Sequence, residues 1–550
     1  MRIMLVLLVV LTTGFRFENG MIYDDVYVIE QVGVIHQTRR APEAFVKPTM
    51  FISQRPADAI VSVDTYRPIP VLSFFLNAAI SGKRLWSYHL FNLGMHAGCV
   101  LLLFGVIRRW LGPGKIKAAA IGAAFFAVQP WLAEAHVWIN GRSDPLALAF
   151  GLGAALVLLR REVSPARMAI AGALFFLGLL SKEVLLTTLP AFVFLDPKRT
   201  LPLRTRLVRL VPLVIASVAY LVIRHRVLGG MKTHEDQKAL VDAASRGPAL
   251  VFDALFHLLV PSVPFLRSLR DDFNGVPRWL LGVALVALLG LVFVVHRART
   301  RLTTLPFASL FFLGSLAPIA GISVVLWPGY GRYLYIPAAA LALALAEMFS
   351  RLRLRGRVRQ GAFAGLALYL IVQAALLVSF TRDMDRDETL YLAATERRPT
   401  QAYGWGFLGF AYALTGQDEL AVGALRRAST LDPDEDRYPA RLAILLSQMR
   451  RCDEARDVAL AALAKVDNWH AAEYHRALAL CADRPSVAVH HLRACLVLRP
   501  IRTDCEQVLR DLLTVHPAAP KARAALRKSM EAQPIEPFDE KWGPLAREPE

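Results

Sequence analysis

From its N-terminus to about residue 381 the sequence runs as a dense series of apolar segments separated by short basic connections, and a polar tail follows. In lipid every backbone N–H and C=O must be satisfied within the chain, so apolar segments of this kind read as membrane-spanning helices. Composition agrees. Of the 550 residues, 55% are hydrophobic, and the mean hydropathy is +0.40, too apolar for an ordinary soluble protein. The expected fold class is all-α: a polytopic helical domain over residues 1–381 with about eleven spans, then a soluble helical tail. Met1–Phe15 is the first span, retained because no small-x-small cleavage pattern follows it. Residues 16–87 form a large polar loop with Pro42, Pro48, Pro56, Pro68 and Pro70, ending in an amphipathic piece from Val71 to Ile80. Further spans are expected near 88–109, 117–131, 145–160, 167–181, 183–196, 207–224, 279–296, 305–326, 333–349 and 361–381.

The formal net charge of +19 raises the question of a nucleic-acid partner. The placement of the charge argues against one. Arg108, Arg109, Lys115 and Lys117 cluster between apolar runs, as do Arg160, Arg161 and Arg167, and Lys198, Arg199, Arg204, Arg206 and Arg209. Arg297, Arg299 and Arg301 form another group, and Arg351, Arg353, Arg355, Arg357 and Arg359 the last. Short basic connections are the signature of cytoplasmic loops. With the N-terminus inside, all of these fall on the cytoplasmic side if the segment Leu250–Val260 does not cross. Arg224 and Arg226 are a local exception. Asp253 and His257 stand at i,i+4 in that segment, a metal-like spacing, but an interfacial amphipathic face is the preferred reading.

The tail repeats. Trp405, Leu408, Gly409, Tyr412, Gly416, Ala421, Ala428 and Pro433 match the tetratricopeptide pattern; Ala421, Ala455 and Ala488 recur in register, as do Ala428, Ala462 and Cys495. Small residues are needed where paired helices cross closely. The reading is a linker over 382–400, a repeat domain over 401–533 with a weaker fourth copy after Ile501, and a disordered tail over 534–550. Four of the five cysteines lie here, with no CxxC pair to suggest zinc or redox chemistry. The repeat register brings Cys452 to Cys481 and Cys495 to Cys505 as disulfides. Four thiols filling small core positions are the alternative.

Polar residues that could carry chemistry gather at the external ends of the spans. Tyr23-Asp24-Asp25 follows the first span. Glu134, His136, Arg142 and Asp144 share a short connection, Ser181-Lys182-Glu183 interrupts two apolar runs, and Arg332 sits in Trp327-Pro-Gly-Tyr330-Gly-Arg332-Tyr333. Charge at a membrane edge is costly and marks function. An Asp can take the proton of an acceptor hydroxyl, and Arg or Lys can stabilise a departing phosphate. Structural readings stand beside each. Asp24 and Asp25 also suit a helix N-cap, Glu134 and His136 an interfacial position, and Arg142 with Asp144 a pair holding their own loop. Lys182 also suits a snorkelling lysine, and Arg332 an anchor to headgroups.

Several of these motifs occur in a recognisable order. Tyr23-Asp24-Asp25, Tyr66-Arg67-Pro68, Leu72-Ser-Phe-Phe-Leu-Asn77, His89-Leu-Phe-Asn92 with His96, Ala127-Val-Gln129-Pro130 through Trp138-Ile-Asn-Gly-Arg142-Ser-Asp144, Leu180-Ser-Lys-Glu183 and Arg332-Tyr-Leu-Tyr-Ile-Pro337 resemble the transmembrane and tetratricopeptide-repeat O-mannosyltransferases over nearly the whole chain. The chain departs from that pattern at Gln129, where the family carries His, and in having few repeats. The resemblance implies a GT-C glycosyltransferase fold, a polyprenyl-phosphate-linked sugar donor and a protein hydroxyl acceptor. It puts the family's acidic motif on Asp24 and Asp25.

The expectation is therefore a membrane glycosyltransferase moving a sugar, mannose by resemblance, to a Ser/Thr or glycan hydroxyl on the external face. Asp24 or Asp25 would be the base. Glu134, His136, Arg142, Asp144, Lys182, Glu183 and Arg332 would form the donor and phosphate site. Its partners would be membrane lipid, the lipid-linked donor and an acceptor docked on the repeats, with no tightly bound cofactor and no metal required. It would reside in a bacterial inner membrane, or the ER membrane of a eukaryote. A membrane-anchored repeat scaffold is the alternative, and a transporter, which would carry charges at span midpoints, a third reading. An odd number of spans puts the tail outside, so a topology reporter fused at about residue 390 should read as periplasmic or lumenal. A cytoplasmic signal there would show that the spans are miscounted.

Overall fold

The computed structural model describes residues 1–14, 20–31, 33–52, 65–160, 164–198, 200–229, 237–264, 302–322, 330–464, 471–483, 485–498 and 505. Among these residues every regular element is a helix, as the all-α expectation requires. In chain order the membrane half contains α1 (Arg2–Thr13), α2 (Pro68–Ser81), α3 (Trp86–Leu111), α4 (Ile116–Ala127), α5 (Ala133–His136), α6 (Ser143–Leu158), α7 (Pro165–Leu179), α8 (Leu185–Thr188), α9 (Leu203–Leu228), α10 (Gln237–Leu259), α11 (Leu305–Ile322), α12 (Tyr330–Tyr333), α13 (Tyr335–Arg351) and α14 (Gly356–Asp383).

Four described helices are long and apolar enough to cross a membrane: Trp86–Leu111, Ile139–Leu158, Leu203–Leu228 and Gly356–Asp383. A fifth candidate is a pair, Pro113–Ala127 and Pro130–His136, bent by 58°. The chain is an integral membrane protein, with fewer full-length crossings among the described residues than the eleven segments expected. Proline accounts for part of the difference. Pro130 halts the run that begins at α4, because it supplies no N–H to continue the ladder. The segment expected near 183–196 divides into α8 and a 3₁₀ turn, Leu189–Phe194, with Pro190 in its first turn. The expected span near 279–296 lies outside the described residues.

The helices pack by small residues. A Cβ on Gly122 would stand 2.8 Å from the Ala342 carbonyl oxygen and 2.9 Å from Ala346 Cβ. Backbone therefore meets backbone where α4 crosses α13, the kind of contact that holds helices together in lipid. The large first loop is folded too. Val28, Ile29, Val34 and Ile35 bury against Val71, Phe74 and Phe75 of α2 and against Ile139. That packing fixes the backbone on either side of Tyr23-Asp24-Asp25.

A second compact unit begins at Asp387. Within the stretch expected as linker it forms α15 (Asp387–Arg397). Helix pairs follow: α16 (Ala402–Leu414) with α17 (Asp418–Leu431), α18 (Arg437–Gln448) with α19 (Cys452–Leu463), and α20 (Ala471–Leu480) with α21 (Pro485–Leu498). Ala421, Val422 and Leu425 of α17 bury against Leu442, Leu445 and Leu446 of α18 and Ala455 of α19, so each pair covers the apolar face of its neighbour. The expected fourth copy, apart from Cys505, and the terminal tail lie outside the described residues. Cys452 is bonded to Cys481 with Cα atoms 5.2 Å apart, and Cys495 to Cys505 at 6.6 Å; Cys99 is a free, buried thiol. Non-reducing peptide mapping should recover these two cross-links and an unpaired Cys99. Chain-entropy estimates for the loops they close give about 3–4 kcal/mol for the first and roughly 3 kcal/mol for the second, so reduction should lower the melting temperature of the tail measurably.

Candidate active site

The first loop reaches its acids through a strained turn. Tyr23 adopts φ 56°, a left-handed conformation that costs an L-residue about 1–2 kcal/mol. Its ring stands edge-on to Trp138 with centroids 5.1 Å apart, and its hydroxyl donates to Glu134 Oε1 at 3.4 Å. The two following carboxylates are set differently. Asp25 is 1% exposed; its oxygens accept from the backbone N–H groups of Asn140 (3.0 Å) and Ile22 (3.3 Å). Asp24 is half-buried and accepts from the Asn140 side-chain amide at 2.8 Å. Asn140 thus holds both acids, one through its backbone and one through its side chain.

Glu134 is the bracket between this loop and the late arginine. While Oε1 takes the Tyr23 hydroxyl, Oε2 accepts from the Arg332 backbone N–H at 3.3 Å. The approach requires glycine at 331. A Cβ there would lie 2.4 Å from the Trp131 carbonyl oxygen and 3.0 Å from Glu134 Oε2. The Arg332 guanidinium then lies 4.8 Å from the ring centres of both Trp138 and Tyr333, and Nη2 donates to the Tyr333 hydroxyl at 3.0 Å. Among the described residues Arg332 Nε is buried without a hydrogen-bond partner.

Two further cations stand beside it, each with a carboxylate. Lys182 Nζ reaches both oxygens of Asp144 at 2.7 and 2.6 Å and stands 4.8 Å from the Tyr333 ring centre. Arg67 makes a two-pronged bond to Glu183 at 3.0 and 2.6 Å. Burial would raise the Glu183 carboxyl, but the Arg67 charge and hydrogen bonds outweigh it and hold the group at about 2. The Lys182 ammonium is pushed down by burial, with Asp144 opposing. Arg332, despite burial, is held above its ordinary value by the charges of Tyr333, Asp144 and Asp24.

Of the residues singled out in the sequence, Asp24, Glu134, Asp144, Lys182, Glu183 and Arg332 belong to this connected set. Arg142 and His136 do not join it. The Arg142 guanidinium is fully buried. It donates to the Ile139 carbonyl, Ser73 Oγ, Asn77 Oδ1 and the Tyr88 carbonyl, and lies 4.1 Å from the Phe74 ring centre. It pins the loop to α2 and α3, and its expected pairing with Asp144 is replaced by that of Lys182. The His136 ring stacks on His96 at 4.0 Å, with neither nitrogen hydrogen-bonded among the described residues, and His96 Nδ1 meets the Tyr335 hydroxyl at 2.8 Å. Sequence reasoning assigned no site role to Arg67, Asn140 or Tyr333, although all three lay inside quoted motifs. Among the described residues no three His, Cys, Asp or Glu side chains converge to hold a metal ion.

No protein-family model and no solved structure matches the chain. Curated relatives do. The human protein O-mannosyl-transferase TMTC3 is 23% identical over 488 residues, 80% of this chain and 52% of the relative. The Caenorhabditis elegans protein O-mannosyl-transferase F38B6.6 is 23% identical over 303 residues, 52% of this chain and 43% of the relative. Mouse protein O-mannosyl-transferase TMTC2 is 41% identical over a shorter stretch of 88 residues, 16% of this chain and 10% of the relative. The chain spans about half the length of the TMTC3 relatives it matches. Over most of its length the chain is therefore similar to protein O-mannosyl-transferases, at 23% identity to the human and mouse TMTC3 proteins.

Proposed function

We propose that the chain is a protein O-mannosyltransferase that takes mannose from a polyprenyl phosphate and delivers it to a Ser or Thr hydroxyl on the external face of the membrane. The observation that carries this reading is the Glu134 bracket. One carboxylate accepts from Tyr23, next to Asp24, and from the backbone of Arg332, so an acid and an arginine that has no carboxylate ion pair among the described residues are held at the same place. The names of the relatives support the sugar and the reaction class.

In this reading Asp24 is the general base. It removes the acceptor hydroxyl proton as that oxygen attacks C1 of the mannose. The bond from C1 to the phosphate oxygen breaks, and its electron pair leaves with the polyprenyl phosphate. Arg332, with Lys182 beside it, stabilises the charge that develops on the phosphate. Asp25, enclosed and hydrogen-bonded by two backbone N–H groups, is a positioning residue, as is Arg142. The repeats would be exported to the external compartment and would receive the acceptor protein. The two disulfides support that side, because the cytosol keeps such thiols reduced.

Purified protein in detergent, given a polyprenyl-phosphate mannose and a Ser/Thr peptide, should transfer mannose. Asp24→Asn should lower kcat at least about a hundredfold, typical of losing a general base, with the melting temperature kept. Asp25→Asn should lower the melting temperature instead. Full activity in the Asp24 variant would remove the base. Absence of transfer by the wild type with any lipid-linked hexose would favour a membrane-anchored repeat scaffold.

A further inference from the structure

We propose that Tyr333 is a catalytic residue whose hydroxyl donates its proton in a hydrogen bond to the phosphate of the lipid-linked donor, between Arg332 and Lys182. The inference rests on the transferase reading above and adds to it a neutral donor.

The argument is an inventory of donors and acceptors. Tyr333 ends α12, outside the helix α13 that begins at Tyr335. Its oxygen accepts from Arg332 Nη2 at 3.0 Å. A phenol also carries one O–H donor, and among the described residues nothing accepts it. The neighbouring carboxylates are already engaged. Asp144 uses both oxygens on Lys182, Glu183 both on Arg67, and Glu134 one on the Tyr23 hydroxyl and one on the Arg332 backbone. Arg332 Nε–H is likewise buried without an acceptor. The Lys182 ammonium and the Arg332 guanidinium each stand 4.8 Å from the Tyr333 ring centre; Lys182 is paired with Asp144, and Arg332 makes no ion pair with a carboxylate among the described residues. Buried donors without acceptors are costly. A buried guanidinium N–H and a partly buried phenol O–H, both beside the Arg332 charge and both lacking an acceptor among the described residues, fit an anion that presents several oxygens, which is what a phosphate does.

The phenol has a second consequence. Burial would raise its ionisation, but Arg332, Lys182 and Arg67 outweigh that and bring it below its ordinary value. Asp144, Glu183, Glu134 and Asp24 are the carboxylates that oppose them. Once ionised, the oxygen has no proton to donate and repels the phosphate, so activity should fall on the alkaline side. Lys182, also brought down by burial, would give a limb of the same sign, and the two can be separated by substitution.

The test uses the full-length protein in detergent. Tyr333→Phe keeps the ring under both cations. It should retain the wild-type melting temperature, lose about tenfold to a hundredfold in kcat/KM for the lipid donor, and lose the alkaline limb. Lys182→Arg, whose side chain stays charged at all working pH values, should keep that limb. A limb that persists in Tyr333→Phe and vanishes in Lys182→Arg overturns the proposal, as does unchanged kcat/KM in Tyr333→Phe. Thermal shift with polyprenyl phosphate alone separates this inference from the transferase reading. If the wild type is protected by the lipid but transfers no sugar, the reading fails, while weaker protection of Tyr333→Phe still supports the contact. Equal protection of both proteins by the lipid, or equal protection of the wild type by inorganic phosphate, counts against a phenol that recognises the lipid phosphate.

Discussion

The Lys182–Asp144 pair is the interaction on which the arrangement of the candidate site depends. Both side chains are less than a tenth exposed, and neither could stay charged among apolar helices alone. Breaking such a pair by removing one member leaves a buried charge and typically costs about 3–5 kcal/mol. Lys182 lies in the break between α7 and α8, and Asp144 in the first turn of α6. Their contact therefore fixes the break against the start of a membrane helix. From there Lys182 faces Tyr333, Tyr333 takes a hydrogen bond from Arg332, and the Arg332 backbone is held by Glu134. Four separate stretches of chain meet through side chains that could not be left unpaired.

Much of this was legible in the sequence because charge is conspicuous in an apolar background. Asp24, Glu134, Asp144, Lys182, Glu183 and Arg332 stood out for that reason alone. What the sequence could not supply was pairing over distance. Arg142 and Asp144 looked like partners because they are neighbours in sequence, yet Arg142 turns toward α2 and α3 and Asp144 toward Lys182. Arg67 looked like part of a loop motif, and its carboxylate lies 116 residues away. Asn140 and Tyr333 carry no charge, so hydropathy and charge patterns pass over them. The inequality between Asp24 and Asp25 was also invisible, since adjacency only says that they point differently. The bent pair at Pro130 shows the same limit: hydropathy counts apolar residues but not the direction in which a proline sends them.

The tail was legible for a different reason. Its repeat fixes which helix packs on which, so the register carried the cysteine pairing with it, and Cys452 and Cys495 meet Cys481 and Cys505. The burial of His475 and His491, with Nδ1 atoms 3.1 Å apart, was not signalled by the pattern. Both imidazoles are lowered to about 4, chiefly by burial. They are therefore neutral in the folded repeats at neutral pH, and the hydrogen bond needs one nitrogen to donate and the other to accept.

The long reach of the Arg67–Glu183 bond bears on biogenesis. At ribosomal rates of about 5–20 residues per second, the sequence separation of 116 between the two takes roughly 6–23 seconds to synthesise. For that interval a cation that ends up locked to a carboxylate has been made before its counter-ion exists. It must wait where water can solvate it, on the side to which the first loop is delivered, while the helices between are inserted one after another. The site therefore cannot close in the order in which it is synthesised. Asp24 and Asp25 can be held by Asn140 before Glu183 exists, Arg67 is captured only once Glu183 has emerged, and Arg332 joins Glu134 later still.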